Sequence, residues 1–303
     1  MTPPLTGPFG RTVCAMVTPF TDDGRLDLDA AQALADRLVG EGRCDGLVLN
    51  GTTGEAPTTS DFEKSDLIRA VRDAVAGRAR VTAGVGTNDT RHTVELARAA
   101  EAAGADGLLV VTPYYSRPPQ DDVARHFLTV ADAVGLPVML YDIPGRTGTR
   151  IEVDTMLRLA EHPRVAGVKD CSFDLLGSAK VIARTDLLYY SGAEELNLPL
   201  RAVGAAGYVS TVANAAGALL AAALDAFDAG APEEAVRHHQ RALPLVELMM
   251  SSGLPGTVTA KALLTALGLP GGGPVRAPLR VAGAEWGAEL RKAYEEAVGA
   301  PGL

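Results

Sequence analysis

With 303 residues and 47% hydrophobic side chains, the chain is long enough to bury a sizeable core, either in one large α/β barrel with an appendage or in two ordinary domains. A net charge of −9 without a basic cluster argues against nucleic acid as a partner, and no apolar run approaches the ~18 residues of a membrane span. The three dispersed cysteines, together with a start that has no basic patch or apolar stretch, favour a reduced cytoplasmic protein over a secreted or disulfide-linked one.

Eight short apolar runs predict β-strands, because they are too short for helices and are bounded by turn residues. The predicted strands are residues 12–18, 46–50, 80–85, 107–111, 137–141, 165–170, 187–191 and 207–211. Amphipathic patterns predict the helices that follow them at residues 29–40, 61–75, 91–103, 120–133, 153–161, 175–183, 197–202 and 215–229. Regular alternation of this kind is typical of repeated βα units.

Two folds fit such an alternation, a closed (β/α)₈ barrel and an open doubly wound sheet. An open sheet would more often have five to seven strands and a glycine-rich fingerprint in its first turn. Here the first turn is Thr18-Pro19-Phe20, which cannot cradle a dinucleotide. The eight strands therefore predict the α/β class with a (β/α)₈ TIM barrel.

The strand pattern stops near residue 230, and only helices are predicted beyond it, at 232–250, 257–267 and 284–298. A segment of roughly 70 residues without strands is too thin to fold alone. We therefore expect a catalytic barrel at residues 1–230 and a C-terminal helical appendage at 231–303, packed on the barrel or on a neighbouring subunit.

The sixth predicted strand ends in Lys169 and Asp170, which follow the buried run Val165-Ala166-Gly167-Val168. A lysine there is costly unless it is neutral or paired. One interpretation is an amine of depressed pKa that attacks a carbonyl carbon and forms a Schiff base. The alternative is a solvated lysine paired with Asp170. The other four lysines, Lys64, Lys180, Lys261 and Lys292, lie in helical patterns where we expect them to reach water.

The C-terminal strand ends, where barrels of this kind place their active sites, carry one amine, several hydroxyl groups and one arginine. All five histidines fall in predicted helices or at their ends, so a metal site is not expected. Neither a complete dinucleotide fingerprint nor a Gly-Lys-Ser/Thr motif occurs. We therefore predict carbonyl chemistry on a lysine, with hydroxyl groups moving protons and without a metal or organic cofactor.

Four motifs at these strand ends occur in a characteristic order and spacing. They are Gly51-Thr52-Thr53-Gly54-Glu55, Thr112-Pro113-Tyr114-Tyr115, Tyr141-Asp142-Ile143-Pro144-Gly145-Arg146-Thr147-Gly148 and Gly167-Val168-Lys169-Asp170. In them the chain resembles the dihydrodipicolinate synthase family, which belongs to the class I pyruvate aldolases together with N-acetylneuraminate lyase. The resemblance extends from Val13 to the C-terminal helices. It implies a lyase of lysine and diaminopimelate biosynthesis that condenses pyruvate with L-aspartate-4-semialdehyde through a lysine Schiff base.

The resemblance also implies the catalytic roles. Lys169 would form the imine with pyruvate, and Tyr141 would shuttle protons at the imine. Thr52 would link Tyr141 by hydrogen bonds to Tyr115, which in the family reaches in from the adjacent subunit. A relay of hydroxyl groups moves protons without burying a charge.

Substrate binding is implied in the same way. Thr53 would hold the pyruvate carboxylate, and Arg146 would hold the carboxylate of the aldehyde, for which a planar guanidinium is suited. Gly192 and Val209 resemble positions that line the pyruvate pocket. Each motif also has a structural alternative, such as a pairing of Arg146 with Asp142 in the loop. The family further implies a homotetramer built from tight dimers.

Two departures from the family pattern concern the second substrate. Cys171-Ser172-Phe173 stands where the family often has a small residue and glycine, and Ala193 stands where an aspartate is familiar. One alternative function is therefore a paralogous Schiff-base aldolase or dehydratase, similar to N-acetylneuraminate lyase or acting on a 2-oxo sugar acid. A non-catalytic barrel that binds or regulates is another.

The positions that resemble the lysine feedback site of some family members carry Lys64, Asn88, His92 and Tyr114. Lys64 and a protonated His92 would repel the ammonium group of lysine. We therefore expect weak or no inhibition by lysine.

Overall fold

The computed structural model describes residues 7–299, in which eight parallel strands form a closed barrel and neighbours in the chain are neighbours in the sheet. Strand β8 pairs with β1, which closes the barrel. The strands are β1 Thr12–Ala15, β2 Gly46–Leu49, β3 Arg80–Gly84, β4 Gly107–Val111, β5 Val138–Asp142, β6 Val165–Asp170, β7 Leu188–Ser191 and β8 Gly207–Ser210. The predicted (β/α)₈ fold is therefore confirmed.

Helices follow every strand and pack around the barrel. They are α1 Leu28–Gly40, α2 Asp61–Val75, α3 Thr90–Ala102, α4 Gln120–Asp132, α5 Pro144–Thr147, α6 Val153–Ala160, α7 Leu175–Ile182, α8 Asn197–Ala202, α9 Ala213–Asp228, α10 Pro232–Met250, α11 Gly256–Ala266 and α12 Ala284–Val298. Helix α5 has no counterpart among the predicted elements, because four residues are too few for a periodic pattern. Within residues 7–299, no helix combines the length and the apolar character needed to span a bilayer.

Two apolar layers stabilise the barrel. The larger one lies between the strands and the helices, and the smaller one fills the barrel interior with alternate strand residues. The inner layer consists of Phe9, Val13, Ala15, Val48, Leu109, Met139, Tyr141, Tyr190 and Val209. Because successive strand residues point to opposite faces, this register also determines which side chains enter the catalytic end.

The N-terminal end of the barrel is closed by the segment that precedes β1. The buried Phe9 ring packs edge-on against Tyr190, with ring centroids 6.1 Å apart, and the Tyr190 hydroxyl donates to the Gly10 carbonyl at 2.8 Å. A Cβ atom at Gly107 would lie 2.7 Å from the Phe9 ring, so the strand needs glycine at this point. The barrel is therefore filled at this end, and the opposite end remains for a site.

The C-terminal helices pack on the barrel through α9, with α12 lying against α10 and α11. Helix α11 contains Lys261, whose side chain is buried and ion-paired with Glu55. The expectation that Lys261 reaches water was therefore wrong, because its partner lies far away in the chain and a helical pattern does not reveal it. The division into domains at residue 230 stays a prediction.

Candidate active site

Lys169 and Tyr141 lie side by side at the C-terminal end of the barrel. They are direct partners in the register of β6 and β5, and both are buried. The Lys169 Nζ atom lies 4.3 Å from the centroid of the Tyr141 ring. The next residue, Asp170, faces the helices instead, where it accepts hydrogen bonds from the Ser172 backbone N–H and the Ser178 hydroxyl. The alternative of a solvated Lys169–Asp170 pair therefore does not describe this lysine.

Burial shifts the pKa of both side chains. It lowers the pKa of Lys169, an effect that the nearby Cys171 and Glu194 partly oppose. It raises the pKa of the Tyr141 phenol well above the usual value, while a hydrogen bond with Thr52 acts in the opposite direction. The site thus favours an uncharged amine beside a protonated phenol, a pair suited to nucleophilic attack and proton transfer.

The turn after β2 brings Thr52 and Thr53 to the same end of the barrel. The Thr53 hydroxyl is buried and lies 2.8 Å from the Thr211 hydroxyl, whereas Thr52 is exposed. The turn is held from the segment after β1 by the Thr18 hydroxyl, which donates to the Gly54 carbonyl at 2.6 Å. Two hydroxyl groups of different accessibility therefore lie at the same end of the barrel as the Lys169–Tyr141 pair.

Gly192 and Cys171 pack directly on the reactive lysine. A Cβ atom at Gly192 would lie 2.4 Å from the Cys171 sulfur and 3.0 Å from Lys169 Cε, so a larger residue cannot enter. The Cys171 thiol donates to the Gly192 carbonyl at 3.1 Å. Burial raises the pKa of Cys171 to about 12, which makes it a lining group and a poor nucleophile. Val209 lies buried in the inner layer of the barrel.

Arg146 and Tyr115 lie at the rim. Arg146 is in helix α5 and is exposed, and its charge acts on both Lys169 and Tyr141. No ion pair between Arg146 and Asp142 occurs in residues 7–299. The Tyr115 side chain is 91% exposed, and its φ of 76° is in the left-handed region. Within a single chain, the Tyr115 side chain therefore faces solvent.

One buried acid beside the site was not predicted as a functional residue. Glu194 stands where the chain departs from the family pattern, and its Oε1 atom accepts from the Ser210 hydroxyl and from the backbone N–H groups of Thr211 and Val212 at 2.7–3.1 Å. It thereby holds the end of β8, and its charge favours the protonated form of Lys169. Its sequence signal was an acidic residue two positions after Gly192, at a strand end.

Known proteins resemble the chain over nearly its full length. The model of the dihydrodipicolinate synthetase family matches residues 8–297. Over 291 residues the chain is 68% identical to 4-hydroxy-tetrahydrodipicolinate synthase 1 of Streptomyces coelicolor. The matched region covers 96% of this chain and 95% of the relative.

Solved structures give the same result. Dihydrodipicolinate synthase from Cyanidioschyzon merolae with lysine bound matches with a TM-score of 0.91 and 38% identity, covering 96% of this chain and 99% of that one. The chloride-inhibited dihydrodipicolinate synthase from Acinetobacter baumannii, complexed with pyruvate, matches with a TM-score of 0.88 and 32% identity over 95% of this chain and 98% of that one.

Proposed function

Because the chain belongs to the dihydrodipicolinate synthetase family, we propose that it condenses pyruvate with L-aspartate-4-semialdehyde, the reaction of 4-hydroxy-tetrahydrodipicolinate synthases. The observation that carries this proposal is the buried Lys169 amine, 4.3 Å from the centre of the Tyr141 ring. The names of the relatives favour this reaction over that of a paralogous aldolase.

In the proposed reaction, the uncharged Lys169 amine attacks the C2 carbon of pyruvate. One amine proton and one proton from Tyr141 pass to the departing oxygen, which leaves as water, so that a protonated imine and a Tyr141 phenolate result. The phenolate takes up a methyl proton and is restored, which converts the protonated imine into an enamine, whose terminal carbon attacks the aldehyde carbon of the second substrate. The imine itself withdraws the electrons, so the proposal includes no metal or organic cofactor.

The remaining roles follow from the position of each group. Thr53, buried at the same end of the barrel as the amine, would bind the pyruvate carboxylate, and the exposed Arg146 would bind the carboxylate of the incoming aldehyde. Thr52, hydrogen-bonded to Tyr141, would pass protons towards a Tyr115 supplied by a neighbouring subunit. Gly192 and Val209 would form the wall of the pyruvate pocket.

We further propose a cytoplasmic homotetramer assembled from tight dimers. The exposed aromatic side chains Tyr115, Tyr114 and Phe62 support an interface at this rim, with exposures of 91%, 37% and 86%. In that arrangement the Tyr115 phenol of one subunit completes the relay of its neighbour. The dimer would then be the smallest complete enzyme.

Reduction with borohydride in the presence of pyruvate tests the proposal directly. We expect a covalent adduct of one reduced pyruvate on the peptide that contains Lys169, and none in the Lys169→Met variant. Absence of this adduct in the wild-type protein would exclude imine chemistry, including that of the paralogous aldolases.

A panel of aldehydes then identifies the second substrate. Aspartate semialdehyde should be consumed together with pyruvate, whereas N-acetylmannosamine and aldehydes derived from 2-oxo sugar acids should not. An adduct on Lys169 combined with consumption of another aldehyde would retain the imine and replace the assigned reaction.

A further inference from the structure

Glu55 ends the turn that carries Thr52 and Thr53, and its backbone is in an unfavourable conformation. Its φ of 57° and ψ of 39° lie in the left-handed region, which residues other than glycine rarely adopt. Asn50, at the start of the turn, has a φ of 55°. A turn with a left-handed residue at each end keeps its shape only where the surroundings hold it.

The carboxylate of Glu55 is held from the C-terminal part of the chain. Its Oε1 atom accepts from Lys261 Nζ at 2.6 Å, and its Oε2 atom accepts from the Arg276 backbone N–H at 2.8 Å. The side chains of Glu55 and Lys261 are 2% and 1% exposed. Both carboxylate oxygens of a residue in the turn are therefore bound by groups that follow the barrel in sequence.

Lys261 is itself fixed from three directions. Besides Glu55, its amine donates to the Pro274 carbonyl at 2.7 Å, and it lies 4.3 Å from the centroid of the Phe20 ring. The Arg276 guanidinium lies against the same ring, 4.1 Å from the centroid, and bonds to Glu63 in helix α2. Burial lowers the pKa of Lys261, and the hydrogen bond that its amine donates to Glu55 opposes that effect.

Helix α11 contacts the turn at a second point. The Thr257 hydroxyl lies four residues before Lys261, on the same face of the helix, and donates to the Thr52 carbonyl at 3.4 Å. The helix thus touches both ends of the segment 52–55. Any shift of α11 relative to the barrel would be transmitted to the two threonines between these contacts.

We propose that the buried Glu55–Lys261 ion pair is a positioning device, through which helix α11 holds Thr52 and Thr53 at the distance from Lys169 that the reaction needs. This inference rests on the proposed function, which assigns Thr53 to the pyruvate carboxylate. Neither residue of the pair touches substrate in this scheme. The C-terminal helices would then contribute to pyruvate binding without lining its pocket.

The test compares Glu55→Gln, Lys261→Met and the double variant E55Q/K261M with the wild-type enzyme. Lys261→Met alone leaves a buried charge without its partner and is expected to lower the thermal midpoint, whereas the double variant carries no such charge and should recover stability. A purely structural pair predicts that activity returns with stability. A positioning pair predicts a stable double variant in which catalysis remains impaired.

The Michaelis constants separate the two roles. We expect KM for pyruvate to rise about 100-fold in the double variant, because a misplacement of 1 Å can have such an effect, while KM for the aldehyde stays near its wild-type value. Partial unfolding would instead lower kcat alone, because it reduces the amount of active enzyme. An unchanged KM for pyruvate in a folded double variant would overturn the proposal.

Two further variants complete the experiment. Glu55→Gln keeps the side-chain volume and an acceptor oxygen, so it reports on KM for pyruvate even where the double variant does not fold, and here a rise of about 10-fold is expected. Lys292→Met is the matched control, because it removes an exposed lysine from α12 that pairs with Glu296 at 3.9 Å. If the wild-type enzyme forms no pyruvate adduct, the proposed function fails; if it does and Glu55→Gln has a normal KM, only this inference fails.

Discussion

Asp142 and Asp170 are register partners on β5 and β6, one position beyond Tyr141 and Lys169, and both face the surrounding helices. The two carboxylates are buried, and Asp142 accepts one hydrogen bond, from the Ile151 backbone N–H at 3.1 Å. Burial, with a smaller contribution from Asp170, raises the pKa of Asp142 to about 7. The strands that carry the reactive pair on their inner face therefore carry two buried carboxyl groups on their outer face, and the pKa of one of them, Asp142, is raised.

Asp142→Asn should stabilise the protein in alkaline solution. Between the ordinary pKa of 3.8 and the folded pKa of about 7, the folded protein holds a proton that the unfolded chain has lost, so stability falls as pH rises. Asparagine removes this loss in the free energy of unfolding, which is on the order of 4 kcal/mol at most, and keeps the acceptor for the Ile151 backbone N–H. Thermal midpoints should therefore differ near pH 8 and converge near pH 4. A constant difference across this range would contradict the assignment.

Lys169→Met should abolish catalysis and make the protein more stable. Because burial lowers the pKa of Lys169, the unfolded chain binds a proton at this amine more tightly than the folded protein does, and below the ordinary value of 10.5 this favours unfolding. Methionine removes that penalty, so the thermal midpoint should rise, and the gain should vanish as pH approaches the ordinary value of 10.5. We expect kcat to fall by at least about 1000-fold. Lys180→Met, on the exposed face of α7, serves as the control and should change neither property.

Two inactive variants should restore activity when they share a dimer. If Tyr115 acts across the interface, a hybrid of Lys169→Met and Tyr115→Phe subunits contains one site with both wild-type groups. Random assembly on coexpression makes half of the dimers hybrid, so activity should return to about a quarter of the wild-type level. Failure to recover activity in verified hybrids would place Tyr115 in the site of its own chain, whereas an active Tyr115→Phe homodimer would remove it from the reaction.

Arg146→Ala should impair the second half of the reaction and leave the first half intact. Loss of a charge-assisted contact to the aldehyde carboxylate should raise KM for the aldehyde about 30-fold, corresponding to about 2 kcal/mol. Trapping of pyruvate on Lys169 should be unchanged. Arg125→Ala is the matched control, because Arg125 is exposed and pairs with Asp122 on α4. An effect of Arg146→Ala on pyruvate trapping alone would reverse the assignment.

Lysine at millimolar concentration should inhibit weakly or not at all. In the structure, Lys64 donates to the Thr59 carbonyl, and His92 Nε2 lies 2.9 Å from Asp61 Oδ2, which leaves two basic side chains where a cationic amino acid would have to bind. The double variant Lys64→His/His92→Glu should gain sensitivity in a steady-state assay. Strong inhibition of the wild-type enzyme would refute the prediction.

Much of the fold could be predicted because each βα unit carries its own local signal. The strand at residues 165–170 and the helices at 61–75 and 232–250 have the predicted bounds, since apolar length and periodicity are properties of the segments themselves. The barrel then brings successive strand ends together, which is why Lys169 and Tyr141 could be expected to meet. Their roles in the reaction stay predictions.

The contacts that could not be predicted join distant parts of the chain. Glu55 and Lys261 are 206 positions apart, and each belongs to a pattern with another plausible explanation, a turn for the first and an amphipathic helix for the second. Glu194 was not predicted as a functional residue, since its three partners are hydrogen-bond donors at the end of β8 that no sequence pattern reveals. Tyr115 is exposed within one chain, and a single sequence does not contain the geometry of its neighbour.

The closure of the N-terminal end of the barrel by Phe9 has a consequence for the order in which the substrates bind. With Phe9 and Tyr190 filling the far end, the opposite end is left for both proposed reactants, and the buried Lys169 and the exposed Arg146 lie at that end. An aldehyde docked at the rim first would obstruct the passage to the amine. Initial-rate kinetics should therefore show the keto acid entering before the aldehyde, with excess aldehyde acting as a competitive inhibitor towards it.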